Sequence, residues 1–276
     1  MCTVLRVSSS GFYKWLRRGI SAKERKTEEL VRLIKHEYQE SKQIYGSPRI
    51  AKMLNNKNHK VSRSYVARIM NRLNIRSRIR KKFKVTTDSR HSYQVSPNLL
   101  NRDFSVTGLS QKWVSDLTYI KTQSGWLYLT TVIDLADRKV IGWAFSNTMT
   151  TRETTVRALK MAIKNRGIRS GLIFHSDRGA QYACDEFKGL LQAHNIIQSM
   201  SRKANCWDNS IAESFFKTLK TELVYHHKFI NREMAKIKIF EYIEGFYNTK
   251  RIHSAIGYIT PSQMEEYLNK VQKIAA

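Results

Sequence analysis

The chain has 276 residues, 41% of them hydrophobic, and a formal net charge of +27 from 49 Lys+Arg against 22 Asp+Glu. That length suits about two domains with a real core, and a surface this basic selects a polyanionic partner, nucleic acid, through counterion release. No run of about 18 apolar residues and no signal-peptide pattern speaks for a membrane, and the three cysteines lack zinc-ligand spacing.

The charge is uneven. Residues 1–95 carry 24 Lys+Arg and 6 Asp+Glu, whereas the rest carry 25 and 16. The first third is therefore the more generic grip on DNA, and the remainder is basic but acid-containing. Residues 1–20 are expected to be an N-terminal helical segment, with Ser8–Arg18 as its helical part. Ser21-Ala22-Lys23-Glu24 fits a capping box, which predicts a helix to about Gln39 with Leu30, Leu33 and Ile34 inward. Ser47 is a candidate N-cap with Pro48 at the first helical position, and Ile50, Ala51 and Leu54 give that short helix its apolar side.

After a polar turn, Ser62 is placed to cap a further helix whose apolar set is Val66, Ile69, Met70 and Leu73. Arg63, Arg68, Asn71 and Arg72 occupy its other sides. A short helix, a turn and a basic helix make a helix-turn-helix DNA-binding domain over 21–84, with Arg63, Arg68 and Arg72 as DNA contacts. A small helical bundle with ordinary basic surface residues is the plain alternative. Residues 85–105 are expected to be a basic and polar linker.

Lys112–Lys121 alternates as a strand, with Val114, Asp116, Thr118 and Ile120 on one face. An acid in an apolar strand needs a partner, a metal or solvent. Trp126–Asp134 and Lys139–Phe145 complete three antiparallel strands. A helix over about Thr151–Lys164, a short buried strand Leu172–His175, a helix over about Asp185–His194 and a strand over about Ile196–Met200 follow. Asp177 ends its strand just before Gly179, where α/β folds place functional groups. His175 is either a contact near the site or ordinary packing at a strand end. Asp134 and Asp208 fit turn and cap positions.

Asn205–Lys220 then reads as a turn and an amphipathic helix, capped by Asp208 or Asn209. Ile211, Phe215 and Leu219 share one face, and Glu213, Lys217 and Lys220 share the opposite one. Taken alone, that polar face is an ordinary solvated Glu–Lys pair. Residues 226–276 are expected to be a helical extension with Ile237, Phe240, Ile243, Phe246 and Tyr247 as a core stripe, and Lys250, Arg251 and His253 in a basic loop.

Five stretches carry a resemblance: Tyr45-Gly-Ser-Pro-Arg-Ile, Trp113-Val-Ser-Asp-Leu-Thr-Tyr, His175-Ser-Asp-Arg-Gly-Ala-Gln-Tyr, Asn205 through Lys220, and Arg251-Ile-His-Ser-Ala-Ile-Gly-Tyr-Ile-Thr-Pro. In this order they resemble insertion-sequence transposases of the IS-three family, specifically the OrfB part, over nearly the whole chain. The resemblance implies an α/β, RNase H-like integrase catalytic core with a mixed five-stranded sheet over 106–225, behind the all-α helix-turn-helix domain. It implies that Asp116, Asp177 and Glu213 are a catalytic and metal-binding triad, with 35 residues between Asp177 and Glu213. Two Mg²⁺ ions, replaceable by Mn²⁺, are the expected cofactors, Asp116 bridging them and Asp177 and Glu213 holding one each.

Lys220, seven residues after Glu213, matches a basic position of the family. With Lys217 and Arg251 it is expected at DNA. The implied activity is nicking of transposon ends and transfer of the 3′-OH strand into DNA. Expected partners are DNA, further copies of the chain on DNA, and an upstream OrfA product or fusion, because the chain begins at Met1-Cys2-Thr3 without the family's upstream region. No membrane partner is expected, and the expected location is the bacterial cytoplasm, at the nucleoid. A nonenzymatic helix-turn-helix regulator and an RNase H-like nuclease or resolvase are the rival functions. Three intact acids disfavour the first, and the basic first domain disfavours the second.

Overall fold

The computed structural model describes residues 2, 4–79, 93–203 and 205–275. The chain divides into two compact units, Met1–Arg78 and Ile79–Ala276. The basic run expected at 76–84 and the start of the expected linker fall largely outside the described residues.

The first unit is helical: α1 (Ser9–Leu16), α2 (Ala22–Glu40), α3 (Ser47–Asn56) and α4 (Arg63–Arg72). The Ser21–Glu24 capping box forms in full, each side chain taking up the other's backbone N–H, so two orphan donors at the start of α2 are satisfied. The cap of α3 is Gly46 rather than Ser47, which moves the start by one residue and puts Pro48 at the second helical position. Ser62 caps α4 by accepting the Tyr65 N–H. Ile34, Ile50, Leu54, Val66, Ile69 and Met70 close the core. Glu37, also buried, is held by Lys57 at the end of α3, so a polar group on the inner face of α2 is paired.

The second unit is built on a five-stranded sheet in the order β3-β2-β1-β4-β5. Its strands are β1 (Lys112–Thr122), β2 (Gly125–Asp134), β3 (Val140–Ser146), β4 (Ile173–Ser176) and β5 (Ile197–Met200). β1, β2 and β3 form an antiparallel meander, and β4 and β5 add in parallel beside β1. Parallel addition needs crossovers, and helices supply them. α5 (Arg157–Arg166) connects β3 to β4, and α6 (Ala180–Ala183) with α7 (Asp185–Ala193) connects β4 to β5. One turn of π-helix, Arg152–Val156, starts the first crossover where a plain α-helix was expected.

α5 lies almost in contact with β3. A Cβ at Gly142 would stand 2.3 Å from the Ala158 carbonyl, so only glycine permits this approach. The adjoining core gathers Trp113, Val132, Leu159, Phe174, Tyr182 and Phe187 from both strands and helices.

α8 (Ser210–Glu222), α9 (Arg232–Tyr242) and α10 (Pro261–Ala275) complete the unit. The C-terminal extension is woven into it rather than appended. Asn248 bonds both the N–H and the carbonyl of Val140, capping the first residue of edge strand β3. The expected apolar stripe is corrected. Ile239, Tyr242, Ile243, Phe246 and Tyr247 are buried, whereas Ile237 is 57% and Phe240 47% exposed. Ile239, Tyr242, Ile243 and Phe246 keep the 3.6-residue period, and Ile237 and Phe240 fall off that face before the π-helical turn over Ile243–Tyr247 begins.

The expected linker is also corrected in its described part. The Leu99 and Leu100 N–H groups donate to the Ser199 hydroxyl on β5, and Leu100 is buried. Residues 93–105 are therefore docked along the sheet unit, not free spacer.

Candidate active site

Asp116 lies in the middle of β1, the central strand. β4 runs parallel beside it with Val114 opposite His175, so the same register two residues on sets Asp177 alongside Asp116. Asp177 follows the last residue of β4, and its Oδ1 accepts the Gly179 N–H at 3.0 Å. A Cβ at Gly179 would stand 3.1 Å from that same oxygen, so the bare backbone lets the turn wrap close to the carboxylate.

Glu213 comes from α8, in its first turn. The helix buries Ala212, Phe215, Phe216 and Leu219 and leaves Glu213 and Lys217 exposed. Ile211, expected on the inner face, is only half-buried, and Ala212 and Phe216 take the deeper places. Neither Asp208 nor Asn209 caps α8 with its side chain. Instead the Asn209 amide donates to the Ser115 carbonyl at 2.9 Å, fastening the helix start to β1.

The three carboxylates act on one another. Burial pushes the Asp116 pKa well above the carboxylate range, Asp177 and Glu213 push it further, and the Leu117 N–H and Lys220 oppose. Burial, then Asp177, raises that of Glu213. Lys220 is half-buried, and desolvation lowers its pKa against the pull of Asp116. Beneath the acids, Tyr182 is fully buried and its hydroxyl meets that of Ser115 at 2.8 Å. Thr131, opposite Asp116 on β2, is buried with a hydroxyl that has no partner. The site thus holds excess negative charge and spare polar capacity.

A donor set of carboxylate oxygens suits a hard divalent cation, which would relieve the repulsion and favour ionised acids. As it stands, no group of three His, Cys, Asp or Glu side chains among the described residues is drawn tightly enough together to hold one.

Two other acids serve structure: Asp134 takes the turn position expected of it, its Oδ1 accepting the Ala136 N–H at 3.0 Å, whereas Asp208 is not a cap but the buried centre of a cluster of basic side chains. Asp134 is fully buried and accepts from the Ser110 N–H, the Trp113 indole and Arg166. Asp137 takes the other arm of Arg166, which also meets Glu265 of α10. Burial lifts Asp137 to about 6 against the attraction of Arg166. Asp208, also fully buried, receives Arg202, Arg102 and Asn98, and hydrogen bonds led by that of Arg202 hold its pKa well below the usual range.

His175 is packing. It is buried between the Ser199 and Ser201 hydroxyls at 2.9 and 3.2 Å, and desolvation lowers its pKa to about 4. His226 and His227 bond the Thr221 and Leu223 carbonyls.

Of the residues expected at DNA, Arg63, Arg68, Arg72 and Lys217 are exposed and Lys220 flanks the acids. Arg251 is the exception. It is 5% exposed, and its guanidinium is engaged with Glu222 at 2.8 Å. A buried, paired guanidinium offers no charge to a phosphate, so Arg251 is a core residue. Tyr182 lies inside a motif of the sequence yet carries no expected role, and Asn209, expected as a cap, instead ties α8 to β1.

Residues 107–206 and 213–268 match two families each described as an integrase core domain, and residues 24–83 match an HTH-like domain. Transposase InsF for insertion sequence IS3A, from Escherichia coli (strain K12), is 40% identical across 96% of this chain and 92% of its own length. The chain belongs to the IS3 family of transposases. The uncharacterized 31 kDa protein of insertion element IS600, from Shigella sonnei, is 41% identical across 96% of this chain and 97% of its own. Among solved structures, a chain of a simian T-cell lymphotropic virus intasome complexed with PP2A regulatory subunit B56 gamma is similar at 16% identity. It covers 78% of this chain and 73% of that one, with a TM-score of 0.48. The assignment to the IS3 transposases rests on the sequence relatives and the integrase core match. Among the described residues, no helix is long and apolar enough to cross a membrane.

Proposed function

We propose that this transposase is of the DDE type, with Asp116, Asp177 and Glu213 as its carboxylates, and that it cuts and joins DNA strands in two displacements at one site. In the first, a water oxygen attacks the phosphorus at a transposon end. The P–O3′ bond breaks, freeing a 3′-OH and leaving a 5′-phosphate. In the second, that 3′ oxygen attacks a target phosphorus and the target's own 3′ oxygen leaves. Bonds broken and formed are of one kind, so no nucleotide cofactor is required.

The observation that carries the reading is the convergence of three acids from distant segments, Asp177 set alongside Asp116 by the β1–β4 register and Glu213 carried on a helix whose start is fastened to β1 through Asn209, with Lys220 at their border. Asp116, Asp177 and Glu213 would hold Mg²⁺, or Mn²⁺ in its place. When bound, the metal supplies neutralisation of the phosphate and stabilisation of the attacking and leaving oxygens. The chain's own contribution is position. β1 and β4 fix two carboxylates on neighbouring strands, and α8 brings the third on a helix anchored by its apolar face.

Lys220 and Lys217 are assigned to DNA phosphates near the cut, and Arg63, Arg68 and Arg72 to the duplex held by the helix-turn-helix unit. Further copies of the chain and an upstream OrfA product are the proposed protein partners, with action on DNA in the cytoplasm. The test supplies a labelled duplex with a free 3′-OH together with target DNA and Mg²⁺. Joined product is expected. Hydrolysis without joining would replace this reading with a nuclease, and binding without either would replace it with a regulator.

A further inference from the structure

The turn between β1 and β2 presents an aromatic pair at the border of the acidic site. Trp126 is 44% exposed, and its ring meets that of Tyr119 edge-on, with centroids 5.1 Å apart at 87°. Lys220 Nζ stands 5.8 Å from the Tyr119 ring centroid, and the same ammonium acts on Asp116. Lys121, opposite Trp126 in the strand register, is exposed, as is Lys217 one turn before Lys220. Along β1, Tyr119 is three residues past Asp116, roughly 10 Å at strand rise and on the other face of the strand, so the ring and the carboxylate are linked through Lys220 rather than by a shared face. That distance is about three nucleotides of a stacked strand.

A single exposed tryptophan is unremarkable on a protein surface. This one is held in place. The Arg232 Nε donates to the Trp126 carbonyl at 2.9 Å, and the Gln123 N–H donates to the Phe229 carbonyl at 2.9 Å. Gly125 has φ +112°, and a Cβ there would stand 2.7 Å from the Arg232 guanidinium. The turn is therefore tied to the α9 region by the Arg232 side chain and by a backbone bond to Phe229, which support the backbone that carries the indole. An aromatic face with Lys121 beside it, joined to a phosphate-handling site through Lys220, has the chemistry that recognises a base lifted out of a duplex.

We propose that Trp126, backed by Tyr119 and flanked by Lys220 and Lys121, is a stacking platform for an unpaired DNA base close to the phosphate handled at Asp116. It rests on the proposed strand-cutting function, and it adds a preference: DNA ends that are frayed or overhanging bind the core better than fully paired ones.

The test uses the full chain without divalent metal, so that nothing is cut. The probe is a duplex with a short single-stranded overhang carrying a fluorescent adenine analogue (aminopurine), whose emission is quenched on stacking. A fully paired duplex and a single-stranded oligonucleotide serve as comparisons. The wild-type chain is expected to quench the overhang. Trp126→Ala should lose that quench and bind single strands about 5-fold or more weakly, whereas its affinity for the paired duplex changes little. Trp126→Phe should keep the quench, and melting of both variants verifies folding. An equal quench from Trp126→Ala, or an equal loss of affinity for single-stranded and paired DNA, would overturn the platform. Because no cleavage is read, failure here leaves the triad untouched. Conversely, nicking by an Asp116→Asn chain would refute the triad while the quench persisted.

Discussion

The side-chain amide of Asn209 donates to the carbonyl of Ser115 at 2.9 Å. One bond thus joins the residue before α8 to the residue before Asp116, so the helix that carries Glu213 is registered on the strand that carries its partner acid. Asn209 is 2% exposed, and its own Oδ1 has no partner. Asn209→Ala should strand the Ser115 carbonyl and cost about 1–3 kcal/mol of stability. It should also lower strand nicking by about 100-fold through misplacement of Glu213, with DNA affinity unchanged. Melting, gel-shift and nicking assays on one preparation check this. Unchanged nicking at reduced stability would make the bond merely structural.

Arg251 and Lys217 separate two kinds of basic residue. Arg251 is buried against Glu222, and Tyr242 donates to the same carboxylate at 2.6 Å. Arg251→Ala should destabilise the fold by about 3–5 kcal/mol, since it leaves a buried carboxylate without its cation. Lys217→Ala should leave stability within about 0.5 kcal/mol and reduce the salt dependence of DNA binding by about one counterion. Urea melts together with binding measured at several salt concentrations distinguish them.

Asp208 gives a pH dependence with a definite sign. Hydrogen bonds, Arg202 first, depress its pKa in the folded chain, so the folded state binds fewer protons than the unfolded one near that range. Its stabilisation is present above the unfolded carboxylate value, about 4, and is lost as pH falls through the lower folded value. Asp208→Asn should be less stable than wild type by about 2–3 kcal/mol at neutral pH. The gap should narrow below about pH 4. Paired denaturation curves at neutral and acid pH check it, and a gap that widens in acid contradicts it.

Much of this was legible before any coordinates. The alternation of β1 placed Asp116 in a strand, the 3.6-residue period of α8 separated Phe215 and Leu219 from Glu213, and Ser21 and Glu24 announced their helix start. These are local signals. The failures were of partners distant in sequence. Arg251 looked like a surface base because Glu222 lies 29 residues away. The 93–105 segment looked like a spacer because its tie to Ser199 spans about a hundred positions. Asp134 does hold its turn, through the Ala136 N–H, but its pairing with Arg166 of α5 lies 32 positions away, as the pairing of Asp208 with Arg102 lies 106 away. Ile237 and Phe240 are exposed because a constant spacing of three drifts off the 3.6-residue period that Ile239, Tyr242, Ile243 and Phe246 keep.

The central claim is that Asp116, Asp177 and Glu213 work as one set of carboxylates on a DNA phosphate. The most direct measurement is nicking of labelled transposon-end DNA in Mg²⁺ by the chain and by Asp116→Asn, Asp177→Asn and Glu213→Gln, with DNA binding measured in parallel. Each variant should bind as the wild type does and nick at least about 1000-fold more slowly. Double variants should fall no further than singles, because the three groups act as a unit. Nicking retained by any one of the three, with binding intact, would contradict the claim.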